Sequence, residues 1–191
     1  MMSTSEQKAL LRKSLISKRK TLSLIEWKKK SDEIKEHILN SSEFKSSKVV
    51  HCFVSMNEKL EVETHSLIEE MISNGRRVII PVMNIKEGTL CHSELFNLNE
   101  LKTNEWGVLE PVRIKPISIH AIDLILVPLL GVDLNGNRLG YGKGYYDQFL
   151  GEVKAKTLGL VMEQFILKKI PIENFDIKLD GIVSEKGVKY T

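Results

Sequence analysis

Ile122-Asp-Leu-Ile-Leu-Val-Pro128, followed closely by Asn135-Gly-Asn-Arg-Leu-Gly-Tyr-Gly-Lys-Gly-Tyr-Tyr-Asp147, is the most informative part of the chain. The first run is short and apolar, which predicts a strand buried on both faces of a parallel sheet. The second packs Gly136, Gly140, Gly142 and Gly144 around Arg138 and Lys143 and ends in a carboxylate. Glycines admit positive φ and bring backbone N–H groups close to a ligand, and the helix predicted from about Tyr145 to Leu150 adds the positive end of its dipole. The loop therefore follows the carboxyl end of a strand, the rim at which open α/β sheets bind ligands.

The loop departs from the common glycine motifs. A Walker loop needs Ser or Thr after Gly142-Lys143, where Gly144 stands, and a dinucleotide fingerprint needs a glycine where Tyr145 stands. Asp133-Leu-Asn135-Gly-Asn137 opens like a calcium loop, but Arg138 replaces the required glycine and Gly144 the closing glutamate. A phosphate cradle and a ligand-free surface turn both remain consistent with the residues.

Working outward, Ser3 with Glu6 and Ser23 with Glu26 form capping-box patterns for helices running to about Arg19 and Leu39. Lys48–Ser55 and Arg77–Val82 read as buried strands around a helix from Thr64 to Asn74 that Gly75 stops, a βαβ unit. Thr89–Phe96 and Trp106–Pro111 read as edge strands or loop, Thr157–Met162 as another strand, and Ile182–Ser184 and Val188–Tyr190 as short closing strands. The expected architecture is α/β, one domain over residues 1–191 with a mostly parallel sheet flanked by helices.

The 191 residues suffice to bury roughly 70% of the unfolded surface without metal or disulfides. A net charge of +3 is too small to imply a polyanionic partner. Cys52 and Cys91 are expected as free thiols, and the five histidines lack zinc-site spacing. The polar N-terminus and the shortness of the longest apolar run, Leu124–Val132, lead to an expectation of a cytoplasmic protein without membrane segments.

Candidate chemistry is positional. Lys8, Arg12 and Arg19 fall within about 40° on the first helix, a stripe whose ordinary explanation is a solvated face. Asp147 sits in a helical first turn, where it suits either the dipole or a divalent cation. Asp176 and Asp180 lie in Phe-Asp-Ile-Lys-Leu-Asp, whose alternation predicts a strand with both acids on one side. Glu58, Glu61 and Glu63 precede a helix, where acids are favourable. Glycine amides, cations and carboxylates together suit phosphoryl transfer, in which alignment and charge neutralisation do most of the catalysis.

These residues resemble the 5-formyltetrahydrofolate cyclo-ligase (methenyltetrahydrofolate synthetase) family over nearly the whole chain. The resemblance rests on Gly136–Asp147 after Pro128-Leu-Leu-Gly-Val-Asp133, Glu61-Val-Glu-Thr64 after Phe53-Val-Ser55, Lys8 to Arg12, Trp106 and Asp176. It implies a fold related to sugar-phosphate isomerases and CoA transferases, and ATP- and magnesium-dependent conversion of 5-formyltetrahydrofolate to 5,10-methenyltetrahydrofolate. By the same resemblance, Lys8, Arg12, Arg138, Leu139, Gly140, Tyr141, Gly142, Lys143, Gly144, Tyr145 and Tyr146 are the ATP site. Val54, Glu61 and Trp106, with Tyr141–Tyr145, are substrate contacts, Lys143 and Tyr145 are catalytic, and Asp147 and Asp176 hold the metal. For Trp106 a core role is the more ordinary explanation than packing on a ligand. Many relatives carry glycine at the place of Lys143 and arginine at that of Gln148. A small-molecule enzyme acting as a monomer is expected, without nucleic acid or membrane partners. The alternative is a non-catalytic nucleotide- or nucleic-acid-binding relative, whose signature, loss of Glu61 or Asp147 with a larger basic excess, is not present here.

Overall fold

The computed structural model describes residues 2–105 and 107–191, so the expectations for Trp106 lie outside the described residues. The chain runs α1 (Thr4–Arg19), α2 (Leu24–Asn40), α3 (Ser42–Ser46), β1 (Val49–Cys52), α4 (His65–Ser73), β2 (Arg77–Asn84), β3 (Thr89–Leu95), β4 (Leu101–Thr103) and β5 (Leu109–Pro111). It continues through β6 (Leu124–Val127), β7 (Gly131–Asp133), β8 (Arg138–Leu139), α5 (Tyr145–Glu152), β9 (Lys156–Leu160), β10 (Ile166–Leu167), β11 (Gly181–Ser184) and β12 (Gly187–Tyr190).

The main sheet has seven strands in the order β12-β11-β9-β6-β1-β2-β3. Its five inner strands are mutually parallel, while β3 and β12 run antiparallel at the two edges. Numbered along the chain, the inner strands lie in the order 2-1-3-4-5, so the direction of winding reverses between β1 and β6. Right-handed crossovers then send α4, which joins β1 to β2, and α5, which joins β6 to β9, to opposite faces. The chains leaving β1 and β6 diverge and open a crevice at the carboxyl rim, the place where doubly wound sheets hold ligands.

Local sequence accounts for these elements. β1 and β6 are buried at every position, as strands covered on both faces must be. Ser3 and Glu6 complete the capping box of α1. At α2 only the Ser23 half forms, accepting from Glu26 N–H at 3.1 Å, because the Glu26 carboxylate pairs with Lys30 at 2.8 Å. The stretch containing Asp176 and Asp180 is not a strand, contrary to its alternation. The two acids part company there: Asp180 accepts from Thr157 N–H at 2.9 Å and Asp176 from Lys8 at 2.5 Å.

A second, three-stranded sheet, β10-β7-β8, carries the base of the glycine loop. Asp133 is wholly buried there and accepts from the N–H groups of Asn135, Asn137 and Ile170 and from the Asn137 side-chain amide. The residue that looked like the first ligand of a calcium loop is therefore spent on folding the turn. β4 and β5 form a separate hairpin, tied to β2 by the Met83 N–H donating to Glu110 at 2.9 Å.

Under α5, His51 is fully buried with neither ring nitrogen bonded among the described residues, and His92 lies beside it with ring centroids 5.3 Å apart. Burial holds the His51 pKa well below its usual value and lowers that of His92 to about 4. Both stay neutral when folded, whereas in the unfolded chain they take up protons below about pH 6.5. Their contribution to stability is thus present above pH 6.5 and is lost as pH falls toward 4. Urea midpoints measured across that window are expected to decline, and His92→Gln to flatten the decline; an unchanged slope in the variant would contradict this origin.

Candidate active site

Three segments converge on the crevice: α1, the β1–α4 loop, and the glycine loop after β8. The cleft encloses about 1080 Å³ when the open space at its mouth is counted. Its lining includes Lys8, Arg12, Val54, Glu61, Asp176 and every residue from Arg138 to Asp147.

The cation stripe of α1 is not a solvated face. Lys8 and Arg19 are 3% and 7% exposed, and each is bonded to protein acceptors. Lys8 Nζ donates to Glu173 Oε2 at 2.7 Å and to Asp176 Oδ2 at 2.5 Å. Arg12 Nε donates to Gly140 O at 2.9 Å, and Arg19 Nη2 to Leu129 O at 2.7 Å. The stripe turns inward because its acceptors come from distant sequence, as far as residue 176.

The glycines of the loop have separate tasks. Gly142 has φ +92°, and a Cβ there would lie 2.9 Å from Arg12 Cζ, so only glycine lets the guanidinium lie against the backbone. Gly144, at φ +73°, caps α5 by turning the chain into its first helical residue. Among the described residues, the N–H groups of Gly140 to Gly144 donate to no protein acceptor. The first turn of α5 adds donors that a helix leaves unpaired by construction. Lys143 is exposed above this row. Arg138 is 7% exposed and bonded through Nη1 to Asp147 Oδ1 at 2.7 Å, so it braces the loop from below. Tyr145 is half-buried on the wall, and the hydroxyl of Tyr146 is buried without a partner among the described residues, its pKa driven well above 10 by burial.

The two acids expected to hold a metal line the same cleft, each engaged through a single oxygen. Asp147 Oδ1 takes Arg138 and Ile177 N–H, and Asp176 Oδ2 takes Lys8 and Glu173 N–H. No group of three or more His, Cys, Asp or Glu side chains among the described residues could hold a metal ion alone. Two carboxylates, each with one oxygen unbonded among the described residues, fit magnesium, which favours one or two protein carboxylates completed by phosphate and water.

On the other side of the cleft, Ser55 and Thr64 exchange backbone-to-hydroxyl bonds of 3.0 Å and close the neck of the β1–α4 loop. The acids on that loop divide their work. Glu63 accepts from Ser66 N–H at 3.0 Å and serves the start of α4, as favourable helix charge should. Glu61 instead turns into the cleft, 5% exposed, taking Met56 N–H at 2.8 Å and the Tyr141 hydroxyl at 2.6 Å. Leu60, just before it, has φ +52°, a left-handed conformation that costs an ordinary residue about 1–2 kcal/mol. Val54 sits at the exit of β1, 8% exposed.

Sequence reasoning missed the apolar wall made by Pro81, Met83, Leu90 and Leu109. Its one signal is Pro81 within an apolar strand run: β2 outlasts its pairing with β1, which ends at Ile79, so the missing N–H falls on an open edge.

Comparison with known proteins decides the family. The 5-formyltetrahydrofolate cyclo-ligase family profile matches residues 4–185. The chain belongs to this family. The 5-formyltetrahydrofolate cyclo-ligase of Mus musculus is 31% identical over 92% of this chain and 92% of its own, and that of Escherichia coli K12 is 32% identical over 67% and 74%. The NMR structure of Aquifex aeolicus 5,10-methenyltetrahydrofolate synthetase superimposes with a TM-score of 0.85 at 31% identity, covering 96% of this chain and 92% of that one.

Gly142→Ala is expected to lower unfolding stability by about 1–2 kcal/mol, since it forces an L side chain to positive φ against Arg12. Gly140→Ala, with nothing within 4 Å of its Cβ, should change stability by less than about 0.5 kcal/mol. Urea titrations showing equal effects would contradict the close approach at Gly142.

Proposed function

We infer that the chain is a 5-formyltetrahydrofolate cyclo-ligase, converting 5-formyltetrahydrofolate and ATP to 5,10-methenyltetrahydrofolate, ADP and phosphate. The observation that carries this reading is one cleft with unpaired loop amides, α1 cations and two carboxylates on one side and Glu61 on the other. Nothing in the cleft or among the relatives favours a non-catalytic nucleic-acid-binding role.

A formyl amide oxygen is a poor leaving group. In the inferred reaction it attacks the γ-phosphorus, ADP departs, and the formyl carbon becomes electrophilic. The neighbouring amine nitrogen of the folate then adds to that carbon and gives up its proton, and the carbon–oxygen bond breaks as phosphate leaves. The amides of residues 140–145 and the start of α5 receive the phosphates, with Lys8 and Arg12 offsetting their charge. Lys143 reaches over the γ-phosphate from the exposed side, and the Tyr145 hydroxyl borders the transferred group as it forms. Asp147 and Asp176 would hold magnesium, which when bound neutralises charge on the phosphate oxygens. Glu61 accepts from the pterin N–H groups, and Val54, Tyr141 and the apolar wall keep the folate bent, so that the second step is intramolecular. We assign this activity to a single domain working as a monomer in the cytoplasm. Among the described residues no helix is long and apolar enough to cross a membrane.

Purified protein with ATP, magnesium and 5-formyltetrahydrofolate is expected to generate the methenyl chromophore, and to generate none when ATP is omitted. Folded protein giving no absorbance change with all three present would count against the assignment. Asp147→Asn should raise the magnesium requirement at least about tenfold, while Lys143→Ala, at an exposed side chain without partners among the described residues, should cost less. A magnesium titration of Asp147→Asn that overlays the parent would defeat the metal role.

A further inference from the structure

Arg19 shares the inward face of α1 with Lys8 and Arg12 but meets neither acid of the phosphate side. Its Nη1 donates to the Tyr141 hydroxyl at 3.2 Å, and that hydroxyl lies 2.6 Å from Glu61 Oε1. The direction of this chain of bonds follows from chemistry alone. A guanidinium has no lone pair, so the phenol accepts from Arg19, and its single proton goes to the carboxylate. A phenol polarised by a cation is a stronger donor, and burial beside Glu61 pushes its pKa up, which keeps that proton in place.

Glu61 is consequently held at both oxygens, by Tyr141 at Oε1 and by Met56 N–H at Oε2. The left-handed Leu60 next to it persists because the surrounding bonds over-determine the loop. Each carboxylate oxygen keeps a lone pair for a ligand donor, and the plane in which those lone pairs lie is set by the two bonds already made.

We propose that Arg19 and the Tyr141 hydroxyl are positioning groups for Glu61, orienting its carboxylate toward the pterin and so determining affinity for the folate but not for the nucleotide. This rests on the folate role of Glu61 inferred above. The Tyr141 ring remains part of the wall; the new assignment concerns its oxygen and the arginine behind it.

Equilibrium titrations of 5-formyltetrahydrofolate and, separately, of a non-hydrolysable ATP analogue separate the two roles without requiring turnover. Tyr141→Phe, which keeps the ring, should weaken folate binding about 3- to 10-fold and leave the nucleotide within about twofold. Arg19→Gln should act in the same direction and add little to Tyr141→Phe, because both act through one carboxylate. In a Glu61→Gln background, itself weaker for folate, Tyr141→Phe should have almost no further effect. Unchanged folate affinity in Tyr141→Phe while Glu61→Gln is impaired would overturn the positioning role alone. An undiminished effect of Tyr141→Phe in the Glu61→Gln background would do so too. Full folate affinity in Glu61→Gln would reject the pterin role of Glu61 and the inference with it.

Discussion

The burial of the α1 cations is the constraint on which the rest of the site depends. An ammonium at 3% exposure is stable only when carboxylates surround it, and Lys8 has Glu173 and Asp176 within 2.7 Å. Removing either member of such a group commonly costs about 3–5 kcal/mol because a buried charge is left unpaired. The arrangement ties the first helix to a segment more than 160 residues away, across the mouth of the cleft. Arg12, one turn further along the same helix, lies against the glycine loop, where a Cβ on Gly142 would come within 2.9 Å of its Cζ.

Around that clamp, the sheet topology and the loop conformations do different jobs. The reversal of strand order between β1 and β6 creates the crevice, and it does so for any sequence with this topology. The lining is shaped by backbone in uncommon conformations, positive φ at Gly142 and Gly144 in the glycine loop and at Leu60 in the β1–α4 loop. Glycine admits the conformation at 142 and 144 by itself, while Leu60 depends on its surroundings; Asp133 builds the base of one loop, and the Ser55–Thr64 pair closes the neck of the other. Rigid supports beneath strained contact residues keep a site pre-organised for its ligands.

Much of this was legible in the residues. The capping box at Ser3, the apolar runs at β1, β2 and β6 and the glycine punctuation at 136–144 act locally, and local chemistry survives into the fold. What was not legible depends on partners remote in sequence. A basic helix face reads as solvated until acids from residues 173–176 are known to meet it. The alternation from Phe175 to Asp180 suggested a strand, but Asp176 and Asp180 answer to Lys8 and Thr157 on different elements, and those bonds override the pattern. Glu61 and Glu63 look alike in sequence; in the loop that Ser55 and Thr64 close, one turns to Met56 in the cleft and the other to Ser66 of the helix.

The central claim is that one row of backbone amides beside Arg12 receives the phosphates while Glu61 faces the folate across the same cleft. A crystal structure with a non-hydrolysable ATP analogue and 5-formyltetrahydrofolate tests it most directly. The terminal phosphates should lie against the amides of residues 140–145 with the pterin at Glu61. A nucleotide lodged elsewhere, with that row of amides facing solvent, would contradict it.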